Sequence, residues 1–252
     1  MTQNESKKSL ALGPIVEALE KHKNDPSKKV ACVFDIDSTL FCVSSRTQAI
    51  MRTLSQKDDF SKQFPDLAKD LSTLKVKPFD WGVRAAIERL ERPISEDEIE
   101  WIRGFWRENF FSNDFLSHDL IYSKSNDFVR LCQSLGADIF YLTGRSEAAM
   151  RTGTIEQLAN HGFPVNSDTH LMMKTSEEIE DEYFKLNRLK SMVSSFEQIY
   201  FFENEPVIID SILSDLPEIE IVFMDSTHSR RSKNPTHLLK ITPDSFKEWM
   251  NS

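Results

Sequence analysis

Two aspartates stand two residues apart in the segment Asp35-Ile36-Asp37-Ser38-Thr39-Leu40, directly after the apolar run at 30–34. Residues i and i+2 of an extended chain point the same way. The two carboxylates therefore converge at the end of a strand, where backbone N–H groups are also free. Asp and Ser are common in plain turns, but a buried strand before the pair and Thr39-Leu40 after it set this segment apart from a solvated turn. Nucleophilic and acid–base work are both open to such a pair.

The elements that must position these groups follow from the hydrophobic pattern. An amphipathic helix is expected over 12–22 and a buried strand over 30–34. From 44 to 118 long helical segments dominate and strand signals vanish. One start there is well marked: Pro93, then Ser95 with Glu98 three later, a capping box, followed by Ile99, Ile102, Phe105 and Trp106 at helical spacing. Beyond 118 the pattern alternates. Helices are expected over 126–135, ending at Gly136, 146–160, 177–195, 206–213 and 243–250. Strands are expected over 137–142, 170–173, 199–202 and 219–224. Strands alternating with helices imply a parallel sheet covered on both faces, and the chemistry of such sheets sits at the carboxyl ends of the strands. Those ends carry Asp35, Thr143, Lys174, Glu203 and Asp225.

The hexapeptide resembles the first motif of the haloacid dehalogenase superfamily, Asp-x-Asp-x-Thr. Thr143-Gly144-Arg145, after the expected strand Phe140-Tyr141-Leu142, is similar to that family's second motif. The resemblance covers about 30–41 and 120–225. It implies an α/β fold, a Rossmann-like parallel sheet core of three α/β/α layers, with an inserted α-helical cap. Residues 1–43 and 119–252 would form the catalytic core and 44–118 the cap. The third motif of the family is a lysine near the start of the helix before the fourth motif. Lys174 and Lys185 compete for it, and the family's spacing favours Lys185. The fourth motif is acidic. Here it reads Phe202-Glu203-Asn204-Glu205-Pro206, with Asn204 where relatives often carry a second carboxylate.

What the resemblance implies about chemistry is specific. Asp35 would attack phosphorus and form an aspartyl-phosphate. Asp37 would protonate the leaving oxygen and then take a proton from water. Thr143, Gly144 and Lys185 or Lys174 would hold the phosphoryl oxygens. Mg²⁺ would be held by Asp35, the Asp37 carbonyl, and Glu203 or Asn204. The aspartate at 37 points to a phosphatase or a phosphomutase rather than a dehalogenase or an ion pump. The leading expectation is a Mg²⁺-dependent phosphohydrolase of a small phosphorylated molecule. A phosphomutase and a non-catalytic binding module on the same fold are the alternatives. Arg46, just past the nucleophile loop, is a weaker expected substrate contact at the surface, and His228, Arg230 and Arg231 are weaker still. Most cap aromatics, among them Phe60, Trp81, Trp101, Trp106, Phe110 and Phe111, are expected to form the cap's own small core.

Composition bounds the partners. The chain has 252 residues and a formal net charge of −9. That field repels polyanions, so nucleic acid is not an expected partner. The three cysteines, Cys32, Cys42 and Cys132, give no disulfide framework, and with no leader-like run in residues 1–23 they lead to an expected cytoplasmic location. No run approaches the roughly 20 apolar residues of a membrane span. Oligomeric state is not legible.

Overall fold

The strand Val30–Phe34 is buried along its whole length, which requires a neighbour on each edge and a layer on each face. The computed structural model, which describes residues 10–23, 25, 28–90, 92–166, 169–176 and 178–252, supplies both. In chain order the elements are α1 (Gly13–Lys23), β1 (Val30–Phe34), β2 (Phe41–Cys42), α2 (Ser44–Ser55), α3 (Asp58–Gln63), α4 (Pro65–Thr73), α5 (Gly82–Ile87) and α6 (Glu96–Phe110). A 3₁₀ turn (Leu116–His118) follows, then β3 (Leu120–Ile121), α7 (Ser125–Ser134), β4 (Asp138–Ser146), α8 (Glu147–Asn160), β5 (Thr169–Lys174) and α9 (Asp181–Lys190). The chain closes with β6 (Gln198–Glu203), α10 (Pro206–Asp215), β7 (Glu220–Met224), β8 (Leu239–Ile241) and α11 (Ser245–Met250).

Six strands form one sheet in the order β5-β4-β1-β6-β7-β8, parallel throughout. Side chains of β1 alternate between two hydrophobic clusters. Val30, Cys32 and Phe34 join α1, α7 and α11 on one face. Ala31 and Val33 join α9 and α10 on the other. This is a three-layer α/β/α arrangement of the Rossmann-like kind, and burial on both faces explains why β1 reads as a continuous apolar run.

The helices α2 to α6 bury a third cluster of their own, which includes Ile50, Leu54, Phe60, Leu71, Val83, Ile102 and Phe110. The capping box at the start of α6 forms as expected: Ser95 Oγ accepts from the Glu98 N–H at 3.3 Å and the Glu98 carboxylate accepts from the Ser95 N–H at 2.7 Å. Most aromatics of these helices pack in this cluster, but Trp81 and Phe111 stay exposed, at 53% and 41%.

Several boundaries differ from expectation. The helix expected over 177–195 begins only at Asp181 and ends at Lys190; Glu177 lies outside the described residues. The strand β4 runs through Thr143 to Ser146, with an irregularity after Leu142 before pairing resumes at Ser146 opposite Lys174. The short pair β2–β3 and the edge strand β8 have no anticipated counterpart, since two or three residues leave no readable period. Among the described residues the three cysteines are buried and free, and no helix is long and apolar enough to cross a membrane.

Candidate active site

The parallel sheet brings the two aspartates, Thr143, Gly144, Lys185, Glu203 and Asn204 to the wall of one cavity of about 1030 Å³. The loop after β1 turns tightly: the Ile36 carbonyl accepts from the N–H groups of Thr39, Leu40 and Phe41, and Ser38 sits at φ 64°. A serine in that left-handed region is uncommon and carries strain. Here it lets the chain reverse between Asp37 and Phe41 while the Ser38 N–H donates to the Phe41 carbonyl at 2.7 Å.

Lys185, in the second turn of α9, is buried. Its ammonium donates to Asp35 Oδ1 and to Glu203 Oε2, each at 2.6 Å. Burial by itself would lower the lysine, but Asp35 and then Glu203 outweigh that and raise it above its ordinary value. Burial pushes the Asp35 carboxyl up, with Lys185 opposing, and pushes Glu203 up to about 7. Lys174 is placed differently. It pairs with Asp181 at 2.7 Å and donates to the Ile179 carbonyl at 3.1 Å. Of the two competing lysines, only Lys185 touches Asp35.

Gly144 makes room for that geometry. A Cβ there would run into the Asp181 carboxylate, the end of a part-exposed side chain that would have to shift. Thr143 is buried beside it, with its Oγ1 accepting from the Arg145 N–H at 3.3 Å.

Asp37 lies in a second charged cluster that the sequence reading missed. Arg145 grips it twice, Nη2 to Oδ1 at 2.5 Å and Nε to Oδ2 at 3.3 Å, and Arg46 Nη2 adds a contact to Oδ1 at 2.8 Å. Asp119 anchors both arginines from behind, with Arg46 Nε at 2.8 Å and Arg145 Nη2 at 3.4 Å. Gln157 ties the set together, donating to Asp119 at 2.8 Å and accepting from Arg145 at 2.8 Å. Burial alone would raise the Asp37 carboxyl. Arg145 and then Arg46 outweigh it and hold the group well below the usual carboxylate range. Both arginines stabilise the Asp37 anion, so in this arrangement they oppose its protonated form and with it both the donation and the acceptance of a proton.

Arg46 corrects a second expectation. It is fully buried rather than at the surface, stacked 4.4 Å over the Phe110 ring, with its Nη1 donating to the Phe110 carbonyl at 3.2 Å. It ties the helices to the sheet and takes no part in the cavity wall. Arg145 was in view as the third residue of Thr143-Gly144-Arg145; Asp119 carries no local signal at all. Arg231 reaches the cavity wall but pairs with Glu182 at 2.7 Å. His228 accepts from the Arg230 N–H, and Asp225 pairs with Lys240 near the sheet edge.

The metal ligands implied by the resemblance fit only in part. Among the described residues no group of three or more His, Cys, Asp or Glu side chains is arranged to hold a metal. Glu203 has both oxygens engaged, Oε2 with Lys185 and Oε1 with the N–H groups of Asn204 and Glu205, each at 2.9 Å. Ligation by Glu203 would require one of these bonds to give way. The other oxygens of the expected set are the Asp35 carboxylate, the Asp37 main-chain carbonyl and Asn204 Oδ1, which accepts from Thr39 at 3.2 Å. An oxygen-only set with one ionised group fits a hard cation such as Mg²⁺ that keeps several waters.

Comparison with known proteins bears on the fold and the family likeness. Residues 118–202 match the family model described as HAD superfamily, subfamily IIIB (Acid phosphatase). The matched stretch includes Thr143, Gly144 and Lys185, and ends before Glu203. No curated protein matches the chain. Among solved structures, a haloacid dehalogenase-like family hydrolase from Streptococcus pneumoniae aligns with a TM-score of 0.54 at 13% identity, covering 89% of this chain and 98% of that one. A predicted phosphoglycolate phosphatase from Haemophilus somnus aligns at 0.51 and 13%, covering 90% and 98%. Protein tyrosine kinase A from Mycobacterium tuberculosis aligns at 0.52 and 15%, covering 89% and 99%. One fold spans those different names, so at such identities the likeness speaks for the fold alone. The family match over the second-motif segment and the fold shared along most of the length thus make this chain similar to haloacid dehalogenase-like phosphatases.

Proposed function

We propose that this chain hydrolyses phosphate monoesters of a small phosphorylated molecule, with Asp35 as the nucleophile. The observation that carries the reading is the contact of Lys185 with Asp35 at 2.6 Å, on a cavity wall that also holds Thr143 and Gly144. A buried ammonium beside a carboxylate is a ready seat for a dianionic phosphoryl group, because it offsets the charge that the attacking group and the ester would otherwise oppose.

In this reading the Asp35 carboxylate attacks phosphorus and becomes the aspartyl-phosphate while the ester oxygen leaves with a proton given by Asp37. Thr143 Oγ1, the Gly144 N–H and the Lys185 ammonium hold the equatorial oxygens. Asp37 then takes a proton back from the water that cleaves the intermediate, an exchange that requires the substrate to loosen its contacts with Arg145 and Arg46. When bound by Asp35, the Asp37 carbonyl and Asn204, Mg²⁺ would supply neutralisation of charge between ester and carboxylate. The helices of 44–118 act as a cap over a core formed by 1–43 and 119–252. Arg46 fastens the two together, since it bonds the Phe110 carbonyl at the end of α6 and Asp37 on the core.

The test is simple. Purified protein is incubated with p-nitrophenyl phosphate in Mg²⁺ and again in EDTA. Turnover that EDTA removes and Mg²⁺ restores is the expected result. No release of p-nitrophenol under either condition contradicts the reading.

A further inference from the structure

The cavity of about 1030 Å³ stands at the upper end of the roughly 300–1,000 Å³ usual for small-molecule sites, and a phosphoryl group fills only a small part of it. The wall contributed by the helices is largely one face of α6, where Ile99, Arg103, Trp106, Arg107 and Phe110 recur at helical spacing. Two features of that face are unfavourable for the helix itself. Arg103 and Arg107 lie at i and i+4, where like charges repel. Gly104, between them in the helix interior, is a poor helix former, and a Cβ built there meets nothing within 4 Å. The glycine is therefore not required by any neighbour in the protein.

The two arginines also differ from the others on the wall. Arg84 pairs with Glu88, Arg145 with Asp37 and Arg231 with Glu182. Arg103 and Arg107 have no carboxylate partner among the described residues. Glu96 and Glu100 share the wall, toward the N-terminal end of the helix, and pair with neither. Two unpaired guanidiniums, with open space beside them at Gly104 and the indole of Trp106 on the same wall, form a place for a flat anionic group.

We propose that Arg103, Gly104 and Arg107 form an anion subsite, so that the substrate is a phosphate monoester whose flat organic part carries a second anionic group. This rests on the phosphomonoester reading above. The phosphoryl group lies at Asp35 and Lys185, the ring lies along Trp106 and Phe110, and the distal anion is gripped by the two guanidiniums over Gly104.

Two probes separate this proposal from the reading it rests on: 2-naphthyl phosphate and 6-carboxy-2-naphthyl phosphate. The wild-type protein should prefer the carboxylated ester by at least about tenfold in kcat/KM. In the Arg103→Gln/Arg107→Gln variant the ratio of the two kcat/KM values should fall to near one. Taking a ratio between probes within each protein removes the leaving-group difference. A wild-type ratio near one overturns the subsite, and so does a preference that survives in the double variant. If neither ester is hydrolysed, the phosphatase reading fails. Calorimetric Kd values for the same two compounds then decide the subsite. Binding of the carboxylated ester tighter by about tenfold in wild type, and lost in the double variant, supports it. Equal Kd values overturn it.

Discussion

Charge is present on both sides of the cavity, in opposite states. On the sheet side the charged groups around Asp35 and Asp37 are engaged, and most of them are buried. Asp35 and Glu203 share Lys185, while Asp37 and Asp119 share Arg46 and Arg145. On the helix side Arg103 and Arg107 are exposed and unpaired. Burying charge is costly unless it is paired and hydrogen-bonded, so the sheet side is one interlocked structure in which each side chain fixes another. The helix side is free of that constraint. It can vary in charge without unfolding the protein, which suits the part of a site that selects a substrate rather than transforms it.

The comparison breaks most visibly if the interlocking is cut from behind. Asp119→Ala should leave two buried guanidiniums without their anchor and cost about 3–5 kcal/mol of stability, read as a lowered urea midpoint. A loss under about 1 kcal/mol would show that the cluster is no more than a collection of surface-like pairs. Lys185→Ala comes next. It removes the ammonium beside Asp35 and should lower kcat by roughly 10²–10³-fold, at least about tenfold more than Lys174→Ala, whose lysine is tied to Asp181. The reverse ranking in steady-state kinetics would move the phosphate contact to Lys174.

Much of this architecture was legible in the sequence because its signals are local. The apolar run before Asp35, Ser95 with Glu98 three residues later, and Gly136 after α7 each state their element within a few residues. The pairing of Lys185 was foreseen only through a family spacing, and its placement against both Asp35 and Glu203 is a product of α9 packing on the sheet. The Asp119 cluster was not legible. Its members, at 37, 46, 119, 145 and 157, are far apart in the chain, and no periodicity links them. Arg46 was misread for the same reason. An arginine on a helix reads as solvated until two carboxylates from other elements are seen to meet it.

Two smaller changes sharpen the contrast. Asn204 donates to the Thr227 carbonyl at 2.6 Å, so Asn204→Asp would lose that bond and place a charge against a carbonyl. It should cost about 1–3 kcal/mol. It should also lower the Mg²⁺ concentration for half-maximal rate by roughly tenfold, about 1.4 kcal/mol, because a carboxylate joins the oxygen set. A Mg²⁺ requirement that does not move would take Asn204 out of the metal site. On the helix side, Gly104→Ala should have the smallest effect on the fold and of the opposite sign. It replaces an interior helical glycine in open space and should stabilise the protein by up to about 1 kcal/mol in a thermal melt. At the same time the new methyl group should raise KM for 6-carboxy-2-naphthyl phosphate. A gain in stability with no change in KM would leave that space unused by substrate.

The central claim is that Asp35 takes the phosphoryl group, and chemical trapping tests it most directly. The protein is mixed with a phosphate ester in Mg²⁺, quenched in acid during turnover, reduced with borohydride and digested for mass spectrometry. An aspartyl-phosphate is reduced to homoserine, whereas a free aspartate is untouched. The account predicts homoserine at position 35, and none there in the Asp35→Asn protein. Reduction at another carboxylate, or turnover with position 35 unmodified, would contradict it.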